Sequence, residues 1–370
     1  MGRFSFLLMV LAACGDNLGG VEQVTPGEGR VHPGVQTIQA PAYVPAVCGA
    51  AQWSTTGGDA KLDLAMVSNG HGTTSIVTAP VAGGAMTGFA VDDRMTMIGD
   101  PSQTKLPLDG TFTAVTASVV GGRVLTASLD GGATRVHLFG EDLSSPQELG
   151  KLGGSVLAKP AFLVANHQRV VATGGAEGVS LTTLDANFNL GTTLLAAPTS
   201  EVDSLATAQY GDAIMAAWTT IDKHCYVADL AAFAAGTVSH VDDECARPRI
   251  ATELATATTN IVFERDGTLR LMHVSHLHGG EASTLLRPNA RAPRIAFDGL
   301  RFWVSYIDAR GDIVVGFLDA DQHLVSMGLV GPAPADDAYE LTLVDGRMWV
   351  VSMDAANGFM AHQMCAVVAD

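Results

Sequence analysis

Charge is scarce in this sequence. Asp, Glu, Lys and Arg make up 16% of its 370 residues, against about 25% in typical globular domains. What charge there is leans one way: 21 basic residues face 38 acidic ones, a net −17. That leaves no cationic surplus to neutralise phosphates, which excludes nucleic acid as a partner. Aromatic residues are few, at 6%. After the first dozen residues there is no apolar run long enough to span a bilayer as a helix. CxxC pairs are absent, against a zinc ribbon or a thioredoxin-like redox site. GxSxG elbows, Walker A loops, dinucleotide fingerprints and EF-hand spacings are absent too, so no cofactor is expected. In their place stand 47% apolar residues and 41 glycines. Much Gly, Val, Thr and Ala with little Lys and Glu suits short strands and tight turns better than solvated helices.

The chain opens Met-Gly-Arg-Phe-Ser-Phe-Leu-Leu-Met-Val-Leu-Ala-Ala-Cys. One Arg, then an uncharged apolar stretch too short to cross a bilayer, then small residues, is the layout of a secretory signal. Leu11-Ala12-Ala13-Cys14 resembles the bacterial lipobox, in which small residues fit the signal peptidase and the Cys thiol receives diacylglycerol. A myristoylation signal would want Ser or Thr where Phe6 stands. The resemblance implies a signal peptide over 1–13 and a lipidated Cys14, with 357 of the 370 residues in the mature chain. Loss of Arg3 moves the net charge from −17 to −18. Gly15, where Asp would follow the lipidated Cys of an inner-membrane protein, implies by the same resemblance the outer membrane of a bacterial envelope. Residues 14–45, rich in Gly and Pro and without hydrophobic period, read as an extended tether. The body, expected monomeric, occupies 46–370.

Export would leave Cys48, Cys225, Cys245 and Cys365 in an oxidising compartment. Four cysteines allow three pairings. Cys225–Cys245 as a local clamp and Cys48–Cys365 as a link between the two ends of the body is the expected one; free or otherwise paired thiols are the alternative.

A repeat organises this body. Pro293-Arg294-Ile295-Ala296 is followed by Phe302–Tyr306, an Asp308–Gly311 turn and Ile313–Asp319; forty-five residues earlier Pro248-Arg249-Ile250-Ala251 precedes Ile261–Phe263, Arg265-Asp266-Gly267 and Leu269–Val274. Further copies begin near 113, 160, 205 and 338. One unit reads as strands over 294–297, 302–307, 313–318 and 323–328, and an earlier set falls at 62–67, 74–79, 87–91 and 94–98. Four short strands every 40–50 residues is the pattern of a β-propeller. Seven blades are expected, with six or eight as alternatives and a β-sandwich as the rival all-β fold. The last unit stops after about three strands, so a strand near 46–53 is expected to complete it and lock the ring. No specific propeller family is recognisable. Ser128–Thr134 resembles a single Asp-box of the sialidase type, but Arg135 stands where its Trp belongs and the box occurs once, so a Gly/Asp turn is the favoured reading.

Candidate site residues are few. His273, His276 and His278 form the best metal-ligand cluster, since imidazoles at alternate strand positions share a face; a solvated strand end is the other reading. The turns between second and third strands carry Asp130, Glu177, Asp222, Asp266, Asp308 with Arg310 and Asp312, and Asp354 with Asn357. In a propeller such turns share one rim and could form a ligand face, although Asp and Asn also favour turns by bonding their own backbone. Trp218, Trp303 and Trp349 occupy equivalent strands and are expected to anchor inter-blade cores. The reading that follows is an envelope lipoprotein, tethered to the membrane through Cys14, binding or scaffolding a protein or glycan. The alternative is a polysaccharide hydrolase or lyase, whose mark would be two carboxylates and a neighbouring Arg or His in one deep pocket.

Overall fold

The structure, a computed structural model, describes residues 43–368 except 54–61, 70–71, 100–105, 154–156, 166–167, 211–212, 231–236, 243, 254, 257, 276–278, 281–282, 335–336 and 355–357. The expected signal peptide and nearly all of the expected tether lie outside the described residues. Tyr43–Pro45, the end of that tether, already belong to a strand.

Twenty-nine strands and no helix make up the described residues. Strand β1 spans Tyr43–Trp53. Blade 1 follows with β2 (Leu62–Ser68), β3 (Thr73–Pro80), β4 (Thr87–Asp92) and β5 (Met97–Ile98). Blade 2 holds β6 (Phe112–Val120), β7 (Arg123–Asp130), β8 (Ala133–Phe139) and β9 (Gln147–Gly153). Blade 3 holds β10 (Ala161–Ala165), β11 (Gln168–Gly175), β12 (Gly178–Leu184) and β13 (Leu190–Pro198). Blade 4 holds β14 (Val202–Tyr210), β15 (Ala213–Thr220), β16 (Cys225–Leu230) and β17 (Thr237–Asp242). In blade 5, β18 (Cys245–Glu253), β19 (Thr258–Arg265) and β20 (Thr268–Ser275) precede an outer edge divided between β21 (Gly279–Gly280) and β22 (Thr284–Pro288). Blade 6 holds β23 (Arg291–Phe297), β24 (Phe302–Ile307), β25 (Asp312–Leu318) and β26 (Leu324–Pro332). Blade 7 takes β27 (Tyr339–Val344), β28 (Arg347–Asp354) and β29 (Gly358–Val368) from the end of the chain, and its fourth strand is β1. The fold is a seven-bladed β-propeller, and the strands of the expected repeat unit fall within two or three residues of their sequence positions, apart from the later end of β26.

The sequence of β24, Phe-Trp-Val-Ser-Tyr-Ile, has no polar alternation because all six residues are buried. A second strand in a blade is covered on both faces, so it reads as a continuous apolar run. The core is accordingly not one mass. Seven apolar clusters lie one between each pair of adjacent blades, and the cluster joining Leu64, Ile76 and Phe89 of blade 1 to Trp349, Val351 and Phe359 of blade 7 closes the circle. Trp218 is fully buried between blades 3 and 4, Trp303 between blades 6 and 7, and Trp349 between blades 7 and 1.

Strands β1 and β29 pair antiparallel along their length, from Tyr43 opposite Val368 to Trp53 opposite Phe359. The Cys48–Cys365 disulfide crosses this pair. Strand β1 also lies close to β26 of blade 6: a Cβ at Gly328 would collide with the Pro45 carbonyl oxygen, so this approach requires glycine. The second disulfide joins Cys225 of blade 4 to Cys245 of blade 5, within the cluster between those blades.

Candidate functional site: the central funnel

The first strand of every blade (β2, β6, β10, β14, β18, β23 and β27) lines a central cavity of about 620 Å³. Strands in this position show one face to the axis and the other to their own blade, so alternate side chains reach the cavity. Its charged lining consists of Lys159, Arg247, Arg249 and Arg294 against Asp63, Asp203, Asp337 and Glu340. Cations and anions are equal there, in a chain with 21 of one and 38 of the other.

Three of the carboxylates are already engaged. Asp63 of β2 pairs with Lys159 at 3.1 Å and accepts the Val115 backbone N–H at 2.8 Å; Lys159 also donates to the Leu64 carbonyl at 2.8 Å. This one contact set ties blades 1, 2 and 3 together. Asp337 pairs with Arg247 and Arg291, each at 3.1 Å, and so bridges blades 5, 6 and 7. Arg247 also lies 3.5 Å from Glu264, whose carboxylate accepts the Ala292 N–H at 2.6 Å. Glu340 of β27 pairs with Arg294 of β23 at 3.4 Å.

Around Arg294 the wall is dense. Its guanidinium donates to the carbonyls of Tyr339 (3.1 Å), Pro293 (2.9 Å) and Ala292 (3.4 Å). Burial opposes its charge, but Glu340 and Tyr339 outweigh that and hold the group above its ordinary value. Tyr339 is buried, donates to the Ala292 carbonyl at 2.6 Å, and is pushed by burial up to about 12, so it remains a phenol at any physiological pH. Arg249 of β18 contrasts with this. It donates to the Pro248 carbonyl at 2.9 Å, and burial followed by the charge of Arg294 lowers it to about 10.

The residues singled out from sequence lie elsewhere. Asp130, Glu177, Asp222, Asp266, Asp308, Arg310 and Asp312 stand on turns outside the funnel lining. Asp130 accepts the Thr111 N–H and pairs with Arg135 at 3.0 Å. Asp222 accepts from the Thr220 and Ser200 hydroxyls. Asp308 accepts the backbone N–H groups of Arg310 (2.8 Å) and Asp312 (3.0 Å). The Asp354 side chain and Asn357 lie outside the described residues.

His276 and His278 also lie outside the described residues, while the His273 ring meets Asn260 Oδ1 at 3.0 Å. His273 lines a second cavity of about 350 Å³ with Asp321 and His323. The carboxylates of Asp319 and Asp321 and the His323 ring gather within 4.8 Å of one another, but Asp319 is occupied in the turn, accepting the N–H groups of Asp321 and His323. Asp92 and Asp185 make the same turn between third and fourth strands.

The funnel arginines did carry a signal in the sequence: the repeated Pro-Arg-Ile-Ala of 248–251 and 293–296 places an arginine at the same register of two inner strands. Composition could not show which side of a strand faces the axis, so the motif read as a marker of repetition rather than as a site.

No family model matches the chain, and no curated protein matches it. Among solved structures, a chain of Kuenenia stuttgartiensis hydrazine synthase is similar in fold, with a TM-score of 0.57 at 12% identity over 86% of this chain and 100% of that one. At that identity the likeness is one of architecture, and the propeller is what the two chains have in common.

Proposed function

We propose that this chain is a lipid-anchored, extracytoplasmic propeller of the bacterial envelope that binds or scaffolds a protein or glycan, with the central funnel as its recognition site. The funnel carries this reading: all seven blades contribute to one polar cavity, and three of its four carboxylates are arranged as ion pairs across blades, a pre-formed wall of donors and acceptors. The lipobox-like Leu11–Cys14 supports the anchor, and the two disulfides are compatible with an oxidising compartment. Full-length Cys14→Ala, expressed in a Gram-negative host, should lose radiolabelled palmitate and move from the membrane to the soluble fraction. Retention in the membrane would remove the anchor from this account. Against purified envelope polysaccharides and peptidoglycan fragments, the full chain should bind saturably and Lys159→Ala should bind more weakly. Equal binding by both would take recognition out of the funnel.

The hydrolase or lyase reading has one observation in its favour, namely that carboxylates and arginines do share one cavity. Against it, three of the four carboxylates, Asp63, Asp337 and Glu340, already face a cation at salt-bridge distance, which leaves Asp203 without the second free carboxylate that acid–base hydrolysis needs. Release of new reducing ends from the same polysaccharides would decide for the enzyme.

A further inference from the structure

The ion pairs of the funnel leave over one guanidinium, Arg249, and one carboxylate, the exposed Asp203. Arg249 and Arg294 stand at equivalent positions of neighbouring inner strands, each after a proline, and both line the same cavity. Arg294 has Glu340 and three carbonyls as partners. Arg249 has the Pro248 carbonyl, and among the described residues no carboxylate lies within 4.0 Å of it. A guanidinium carries five N–H donors in a rigid fork. Arg249 lines the cavity with donors beyond the one it gives to Pro248. Holding a charge away from bulk water beside a second charge of the same sign is costly unless a counter-ion arrives.

We propose that Arg249, with Arg294 beside it, is the binding site for an oxyanion: a carboxylate or phosphate group borne by the ligand that enters the funnel. Both groups match the guanidinium fork with two parallel hydrogen bonds. Asp63, Asp337 and Glu340 are held by Lys159, Arg247 with Arg291, and Arg294, and Asp203, the remaining carboxylate of the lining, makes no ion pair with Arg249. The inference rests on the funnel being the recognition site and adds the chemistry recognised: an acidic sugar, a phosphorylated glycan or an acidic peptide terminus would qualify, and a neutral glycan would not.

The test uses the full chain at low salt with inorganic phosphate, acetate, glucuronate and, for comparison, glucose. Saturable binding is expected for phosphate or for the two carboxylates and not for glucose, and whichever anion binds tighter identifies the group. Arg249→Gln should weaken that binding about tenfold or more, the scale of a charge-assisted pair. Arg249→Lys, which keeps the charge and loses the fork, should fall between. Arg94→Gln, on an exposed turn of blade 1, should bind as the wild type does. Without any anion, Arg249→Gln should unfold at the wild-type temperature or above it, because it removes a charge that burial and the neighbouring Arg294 disfavour. Absence of saturable binding to every anion, wild-type affinity in Arg249→Gln, or a large loss of stability in that variant without anion would each overturn the proposal. If the anions fail while envelope polysaccharides still bind in a Lys159-dependent way, this inference falls and the funnel reading stands.

Discussion

His137 sits in the cluster of aromatic and charged groups at the centre of blade 2, 1% exposed, with neither ring nitrogen hydrogen-bonded. Beside it Arg135 pairs with Asp130 and Glu148 and lies over the Phe112 ring. Burial, and after it the positive charge of Arg135, lowers the imidazole to about 4. In an unfolded chain the same ring titrates near ~6.5. Between those values the unfolded chain takes up a proton that the native one refuses, so the contribution of the neutral ring is whole above pH ~6.5 and drains away as pH falls toward about 4. The carboxylates held low by hydrogen bonds or by Arg135 (Asp92, Asp130, Asp142, Glu148) act in a different window: their contribution is lost only below the ordinary carboxylate range. His362, also lowered by burial, adds to the first slope. Urea midpoints measured between pH 7 and 4.5 should therefore fall in the wild type and fall less in His137→Phe. Parallel slopes would show that this ring does not carry the effect.

Two disulfides act on elements of very different reach. Cys225–Cys245 encloses 20 residues and staples neighbouring blades; Cys48–Cys365 encloses 317 and spans the closing pair of strands. On loop-entropy grounds the first stabilises by about 3 kcal/mol and the second by about 5 kcal/mol or more. Replacing Cys48 and Cys365 with Ser should thus lower the melting temperature further than replacing Cys225 and Cys245, as read by calorimetry under non-reducing conditions. The reverse order would mean that β1 stays paired with β29 without covalent help. Elements of this kind were the legible part of the sequence. Strand runs such as Phe302–Ile307 are continuous and apolar because both faces are covered, and the 45-residue spacing follows from the repetition of one packing problem. The acidic turns were harder to read: Asp308 and Asp319 point inward to their own backbone N–H groups, so local hydrogen bonding decided what the residue type alone left open. The funnel was hardest, because Asp63, Lys159, Arg247 and Asp337 come together only through the ring and share no neighbourhood in sequence.

For the whole molecule the ring is its own boundary condition. Each blade buries its faces against two neighbours, and the seven inter-blade clusters leave no blade terminal. Deleting Tyr43–Trp53 would strip blade 7 to three strands and leave β29 as an unpaired edge at the joint. Open edges template association with other chains. That deletion should give a lower melting temperature and higher-order species on size-exclusion chromatography, whereas a ring closed chiefly by the blade 7–blade 1 cluster would stay monomeric without it.

The pairing of β1 with β29 also fixes an order in time. Chains emerge from their N-terminus at roughly 5–20 residues per second, so β1 appears first and its hydrogen-bonding partner appears last. Throughout that interval Cys48 is a thiol whose native partner does not yet exist, while Cys225 and Cys245 emerge only 20 residues apart and can join at once. The final strand then decides the fate of the first one, because a chain cut short before Gly358 would leave β1 without the strand it pairs with.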